Sequence, residues 1–123
     1  MQTIIWISLG AVLGANLRYF VAEQIARLTP SFPYGTLVVN FTGSVVVGFF
    51  LIWTTDRVVV DPRWRPLVAV GFCGSYTTFS SFAFETFALF ERGQWLSAAL
   101  NVGASNALCL LGIVLGAWVA RSL

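Results

Sequence analysis

The stretch GFCGSYTTFSSFAFE, Gly71 to Glu85, lies in the middle of an apolar run from Pro66 to Phe90. A run of that length fits a bilayer crossing of about 20 helical residues. Its centre nevertheless holds Gly71 and Gly74, followed by Ser75, Tyr76, Thr77 and Thr78, which are poor helix formers or β-branched. Unwound backbone at membrane depth is tolerated only when it is buried in protein or lines a cavity. Discontinuous helices of this kind present carbonyls to cations. The residue types therefore predict a membrane helix broken near mid-bilayer. The plainer alternative is a continuous helix that packs through its small residues.

Three further apolar runs flank this one: Ile4 to Phe20, Tyr34 to Thr54 and Trp95 to Ala120. Short polar segments join them, AEQIARLTPSFP, DRVVVDPRWR and ERGQ. The expected fold is an all-α integral membrane protein, a single domain over residues 1–123 with four transmembrane helices. Composition agrees: 58% of residues are hydrophobic and 10% charged, whereas soluble domains carry about 25% charge. With a mean hydropathy of +0.83, the solvent must be lipid. The opening MQTIIWISLG lacks the basic segment of a signal peptide and reads as the first span of the mature protein. Pro33 and Pro66 fall where the first turn of a helix accepts proline. Trp6, Trp53, Trp64, Trp95 and Trp118 lie near span ends, as an interfacial aromatic belt requires.

An even number of spans puts both termini on one side. That side carries Arg57, Arg63, Arg65 and Arg121, and the other Arg18, Arg27 and Arg92. Cytoplasmic loops normally hold a clear excess of basic residues. So small a difference is read either as a weak signal in a short chain or as insertion in both orientations. A net charge of +2 is too weak and scattered to suggest nucleic acid. Gly10 and Gly14, Ser44 and Gly48, and Gly112 and Gly116 share the four-residue spacing that lets helices approach closely in lipid. Four such helices do not readily enclose a pore alone, so a homo-oligomer is expected.

The candidate chemistry lies on three helices. Phe79 and Phe82 share a face of the third span, beside a polar stripe of Thr78, Ser81 and Glu85. Two such rings either face lipid or turn their positive edges into a narrow path for an anion. Thr36, Asn40 and Ser44 line one face of the second span, and Asn101, Ser105 and Cys109 one face of the fourth. In each, interhelical hydrogen bonding competes with a pore-lining role, and an asparagine NH2 is able to donate to an anion. Arg18, late in the first span, either snorkels to the interface or forms a positive vestibule. Glu85 is the acid well inside a span, and such residues carry functional hypotheses. Histidine is absent and no nucleophile stands beside a base, so an enzyme is not expected. Cys73 and Cys109 read as structural membrane residues.

GTLVVNFTGS (Gly35 to Ser44) and GFCGSYTTFSSF (Gly71 to Phe82) strongly resemble the two signature stretches of the Fluc/CrcB fluoride channel family, and GAVLGANLRY (Gly10 to Tyr19) resembles its first-helix pattern. The resemblance runs the whole length. It implies a passive, fluoride-selective channel that exports fluoride and protects against its toxicity, in the inner (plasma) membrane. It further implies a dual-topology antiparallel homodimer with two pores, which accounts for the small arginine bias. A structural Na+ at the dimer centre is then held by the backbone carbonyls of Gly74 and Thr77. Fluoride passes the ring edges of Phe79 and Phe82 and accepts a hydrogen bond from Asn40. Thr78, Ser81 and Glu85 form a polar track, with Ser105 on the fourth helix and Arg18 at the vestibule. Asn101 and Cys109 depart from the family, where a tyrosine and a serine-like residue are common.

Three other readings compete, one of them a purely structural membrane subunit, which would not require polar stripes on three helices. Small multidrug-resistance transporters are also dual-topology four-helix dimers, but they need an acid midway along the first helix, and Ile4 to Phe20 has none. A fluoride/proton antiporter is the remaining alternative, because of Glu85.

Overall fold

Four helical spans emerge where the apolar runs predict them, described over residues 1–123 in a computed structural model. Helix α1 covers Gln2–Leu28 and α2 covers Tyr34–Asp56. The third span begins as a π-helical stretch, Pro66–Cys73, continues through one α-helical turn, α3 (Gly74–Tyr76), and resumes as α4 (Phe79–Glu91). Helix α5 covers Trp95–Ser122.

Helix α1 runs well past its apolar core, so more than half of the segment expected to be a loop is helical. Ala22, Glu23, Gln24, Ala26, Arg27 and Leu28 are strong helix formers. Glu23 and Arg27 close an i,i+4 ion pair at 3.2 Å. Thr29 and Pro30 then stop the helix.

The break in the third span is confined to Thr77 and Thr78, which are extended with φ −83°, ψ 158° and φ −150°, ψ 116°. The sequence reading placed its onset at the glycines, and this is corrected: Gly71 and Gly74 are both helical. Gly71 serves close packing instead. A Cβ there would meet Gly10 Cα at 3.0 Å and Ala11 N at 3.2 Å, so α1 and the π-helical stretch touch backbone to backbone. Helices α2 and α5 pack in the same way. A Cβ on Gly48 would lie 2.6 Å from the Ile113 carbonyl oxygen, and one on Gly116 would lie 2.6 Å from Phe49 N. The small-residue spacings thus specify two tight helix pairs, α1 with the first half of span three and α2 with α5.

Helix α4 is held differently. It touches only α5 and, lightly, α2. Buried residues number 20 of 123, which makes the core thin. Ile4, Leu13, Phe20, Leu110, Val114 and Trp118 are among the many large apolar side chains left on the outside. This is a surface suited to lipid, and the chain is a multi-pass membrane protein.

The loop between α2 and span three folds on itself. Arg63 pairs with Asp61 at 2.6 Å and lies 5.4 Å from the centre of the Trp6 ring. The side-chain hydrogen bond from Arg63, followed by the one from its backbone N–H, holds the Asp61 carboxyl down to about 2. A depressed carboxylate contributes above its ordinary range and loses that contribution only as pH falls through its lowered value. This contact therefore persists across the physiological range.

Candidate functional site

Interrupting a helix frees backbone groups that must find new partners. In a continuous helix the Thr78 N–H would donate to the Gly74 carbonyl. Here it donates to Asn40 Oδ1 at 2.7 Å, and Asn40 Nδ2 donates to the Thr78 carbonyl at 3.0 Å. One side-chain amide from α2 thus takes the place of a helical turn. The oxygen and one N–H of Asn40 are committed to this clamp, and the second N–H is left for the cavity beside it. The Gly74 carbonyl, in turn, has lost its helical donor.

Thr78 also caps the resumed helix. Its hydroxyl oxygen accepts from Ser81 N at 3.2 Å, as an N-cap threonine does, and the same hydroxyl lies 3.1 Å from Ser81 Oγ. The positive end of the α4 dipole is therefore held at the break, deep in the membrane, where it favours an anion.

Arg18 does not snorkel. Its guanidinium Nη1 donates to the Thr77 carbonyl at 3.3 Å, and the side chain is partly buried. This adds positive charge at the break and removes Arg18 from the flanking charges. The topological comparison becomes Arg27 and Arg92 against four arginines on the other side. Lower on α4, Thr36 Oγ1 donates to Glu85 Oε1 at 2.7 Å, while Glu85 Oε2 is buried without a hydrogen-bond partner.

The sequence-predicted residues gather in two cavities, not along one line. The first, of about 440 Å3, is lined by Asn40, Gly74, Thr77, Thr78, Phe79, Phe82 and Ser105, among others. The second, of about 350 Å3, brings together Arg18, Thr36, Thr78, Ser81 and Glu85. Thr78 belongs to both. Phe79 and Phe82 lie with ring centroids 5.4 Å apart and planes at 51°. Phe82 is 8% exposed and Phe79 is 77% exposed. A single chain therefore buries one ring and leaves the other open.

Further residues line the cavities: Ser44 and Cys109 lie on the polar faces read from the sequence, whereas Cys73, Asn106, Tyr19 and Glu23 were not read as lining a path. Ser44, Asn106 and both cysteines reach the first cavity, and Tyr19 and Glu23 reach the second. Glu23 was legible only once α1 was known to continue past Phe20. Cys73 is buried and Cys109 half-buried, and both are free thiols. Asn106 Nδ2 donates a hydrogen bond to the Val102 carbonyl at 2.7 Å, within its own helix.

Residues 5–117 match the family described as CrcB-like protein, Camphor Resistance (CrcB). The chain is 51% identical to a fluoride-specific ion channel FluC of Koribacter versatilis (strain Ellin345), over 100% of this chain and 98% of that protein. It is 47% identical to the FluC of Roseiflexus sp. (strain RS-1), over 99% of each. Identity to the FluC of Paramagnetospirillum magneticum (strain ATCC 700264 / AMB-1) is 45%, over 94% of this chain and 93% of the relative.

Proposed function

Since this chain belongs to the CrcB family, we propose that it works as a fluoride-specific ion channel, exporting fluoride passively from the cell across the plasma membrane. The observation that carries this reading is the meeting of the two cavities at Thr78. Thr78 lines both, so a path from Arg18 along Ser81 and Glu85 would pass this residue to reach the aromatic cavity.

Fluoride is small and strongly hydrated, so each water it loses must be replaced by a donor. The sequence of donors is Arg18, the hydroxyls of Ser81 and Thr78, the spare N–H of Asn40, and the Ser105 hydroxyl across from the ring edges of Phe79 and Phe82. Beyond the Arg18 guanidinium at the start of the path, none of these donors is a full charge. Neutral donors and polarised C–H edges give shallow serial sites, which is what conduction needs, because a deep site would trap the ion. Selectivity follows from the same arrangement: a larger anion meets rings and a capped helix end in place of a wide aqueous pore.

The functional unit is a dual-topology homodimer of antiparallel chains. Two features support it. The first cavity, though largely apolar, holds the polar groups of Asn40, Thr77, Thr78 and Ser105 and is open on the face where Phe79 and Gly74 are exposed, and lipid satisfies no hydrogen bonds. A second copy covers that face. The donor set also reads as half of a site. The Gly74 carbonyl has no helical donor, and the Thr77 carbonyl keeps a lone pair beside its long bond to Arg18. No carboxylate lines the cavity. Neutral carbonyl oxygens suit a hard monovalent cation, and two from each chain would hold a structural Na+ at the dimer centre. Its charge would favour a nearby anion.

The channel reading is tested with purified protein in fluoride-loaded liposomes. Rapid fluoride release on adding valinomycin and a proton ionophore is expected, with no chloride release. Equal release of the two halides, or release that requires an imposed proton gradient, contradicts passive fluoride selectivity. Dual topology is tested separately. Reporters fused to the C-terminus should be active on both faces of the membrane, and activity on one face alone overturns the antiparallel dimer.

A further inference from the structure

Helix α4 carries Phe82 yet is not helically continuous with the helix before it, the extended Thr77 and Thr78 lying between them. Its rotation must be set by side chains. Two ties run to α2, Asn40 to Thr78 and Thr36 to Glu85. The third runs to α5. Asn101, 2% exposed, donates from Nδ2 to Thr86 Oγ1 at 2.9 Å. Thr86 Oγ1 donates in turn to the Phe82 carbonyl at 2.7 Å. On its other side Asn101 Oδ1 accepts from Ser105 Oγ at 3.4 Å.

This chain of bonds has a direction. The one hydroxyl proton of Thr86 is committed to Phe82, so Thr86 is able only to accept from Asn101. The Asn101 amide is thereby fixed with its nitrogen toward α4 and its oxygen toward Ser105. A flipped amide would set two lone pairs against each other and leave Ser105 without its acceptor. Asn101 lines neither cavity. It stands behind the wall of the first, between the two elements that supply Phe82 and Ser105.

We propose that Asn101 and Thr86 form a positioning pair for the anion path. The pair fixes the rotation of α4, and hence the Phe82 ring, against α5. It also holds the Ser105 hydroxyl on a long bond until an anion draws it into the cavity. Because that bond is long, Ser105 gives up little when it turns to the ion. The inference rests on the channel reading above, since it assigns the residues that set this path.

The test is fluoride efflux per assembled channel in liposomes, for Asn101→Leu, the isosteric Thr86→Val, their double variant and Thr86→Ser. Each single loss is expected to lower efflux about tenfold, the scale of one buried hydrogen bond. The double variant should lose less than the product of the two single effects, because both singles remove the shared Asn101–Thr86 bond. Thr86→Ser, which restores the hydroxyl, should recover most of the flux, a rescue that bulk packing does not explain. Unchanged efflux in the singles, losses that multiply to about 100-fold in the double, or Thr86→Ser as slow as Thr86→Val would overturn the proposal. If Asn101→Leu fails to assemble, the Thr86→Val and Thr86→Ser comparison decides. Fluoride release by the unmodified chain with slow variants supports both readings. Release with unaffected variants overturns the positioning pair alone, and no release by the unmodified chain overturns both.

Discussion

Asn40→Leu is expected to lower fluoride efflux by at least about 100-fold, a loss of roughly 3 kcal/mol or more in the working geometry. Leucine fills similar space but offers neither donor nor acceptor. The Thr78 N–H and carbonyl, which Asn40 now satisfies at 2.7 Å and 3.0 Å, would be left without partners at membrane depth. Each unsatisfied buried group costs about 1–3 kcal/mol. The nearest relief is for the Thr78 N–H to return to the Gly74 carbonyl. That would straighten the span, turn Phe79 and Phe82 off the cavity and withdraw the carbonyls proposed for the cation. Loss of the spare Asn40 N–H adds to the effect. Efflux measured in liposomes decides it: a rate within twofold of the unmodified chain would show that the break does not depend on this clamp.

Phe82→Ile should reduce efflux at least about tenfold, with the protein still assembled. The aromatic side chain is 8% exposed and lines the first cavity. Isoleucine keeps most of the apolar volume, and volume-conserving swaps in a packed site cost under about 1.5 kcal/mol. The substitution therefore separates packing from electrostatics. It removes a ring whose positive edge is able to meet an anion, and puts aliphatic carbon in its place. Efflux together with gel-filtration mobility distinguishes the outcomes. Unchanged flux in an assembled protein would remove the ring-edge account, and loss of assembly would show that Phe82 acts through packing.

Spans were legible because hydropathy and length are local properties, and a bilayer imposes the same requirement on every crossing. Their ends were less so. Helix α1 outruns its apolar core because Ala22 to Leu28 favour helix once nucleated, whatever their polarity. The small-residue spacings marked where helices approach closely, because close approach needs a missing Cβ, but which helices pair, and that Gly71 packs against Gly10, came only from the structure. For the break, sequence gave the span and the depth but not the residues, since Gly71 and Gly74 turned out to be helical.

Composition and pattern determined by themselves that this is a four-span membrane protein, they predicted an interrupted third helix against a continuous alternative, and its motifs pointed to the family. What only the tertiary structure decided is where the freed groups of the break go. Thr78 finds Asn40 and Thr77 finds Arg18, partners 38 and 59 residues away in sequence. A broken helix is a local statement about backbone preference. The hydrogen bonds that make the break affordable in lipid come from other helices, and no pattern within the third span names them.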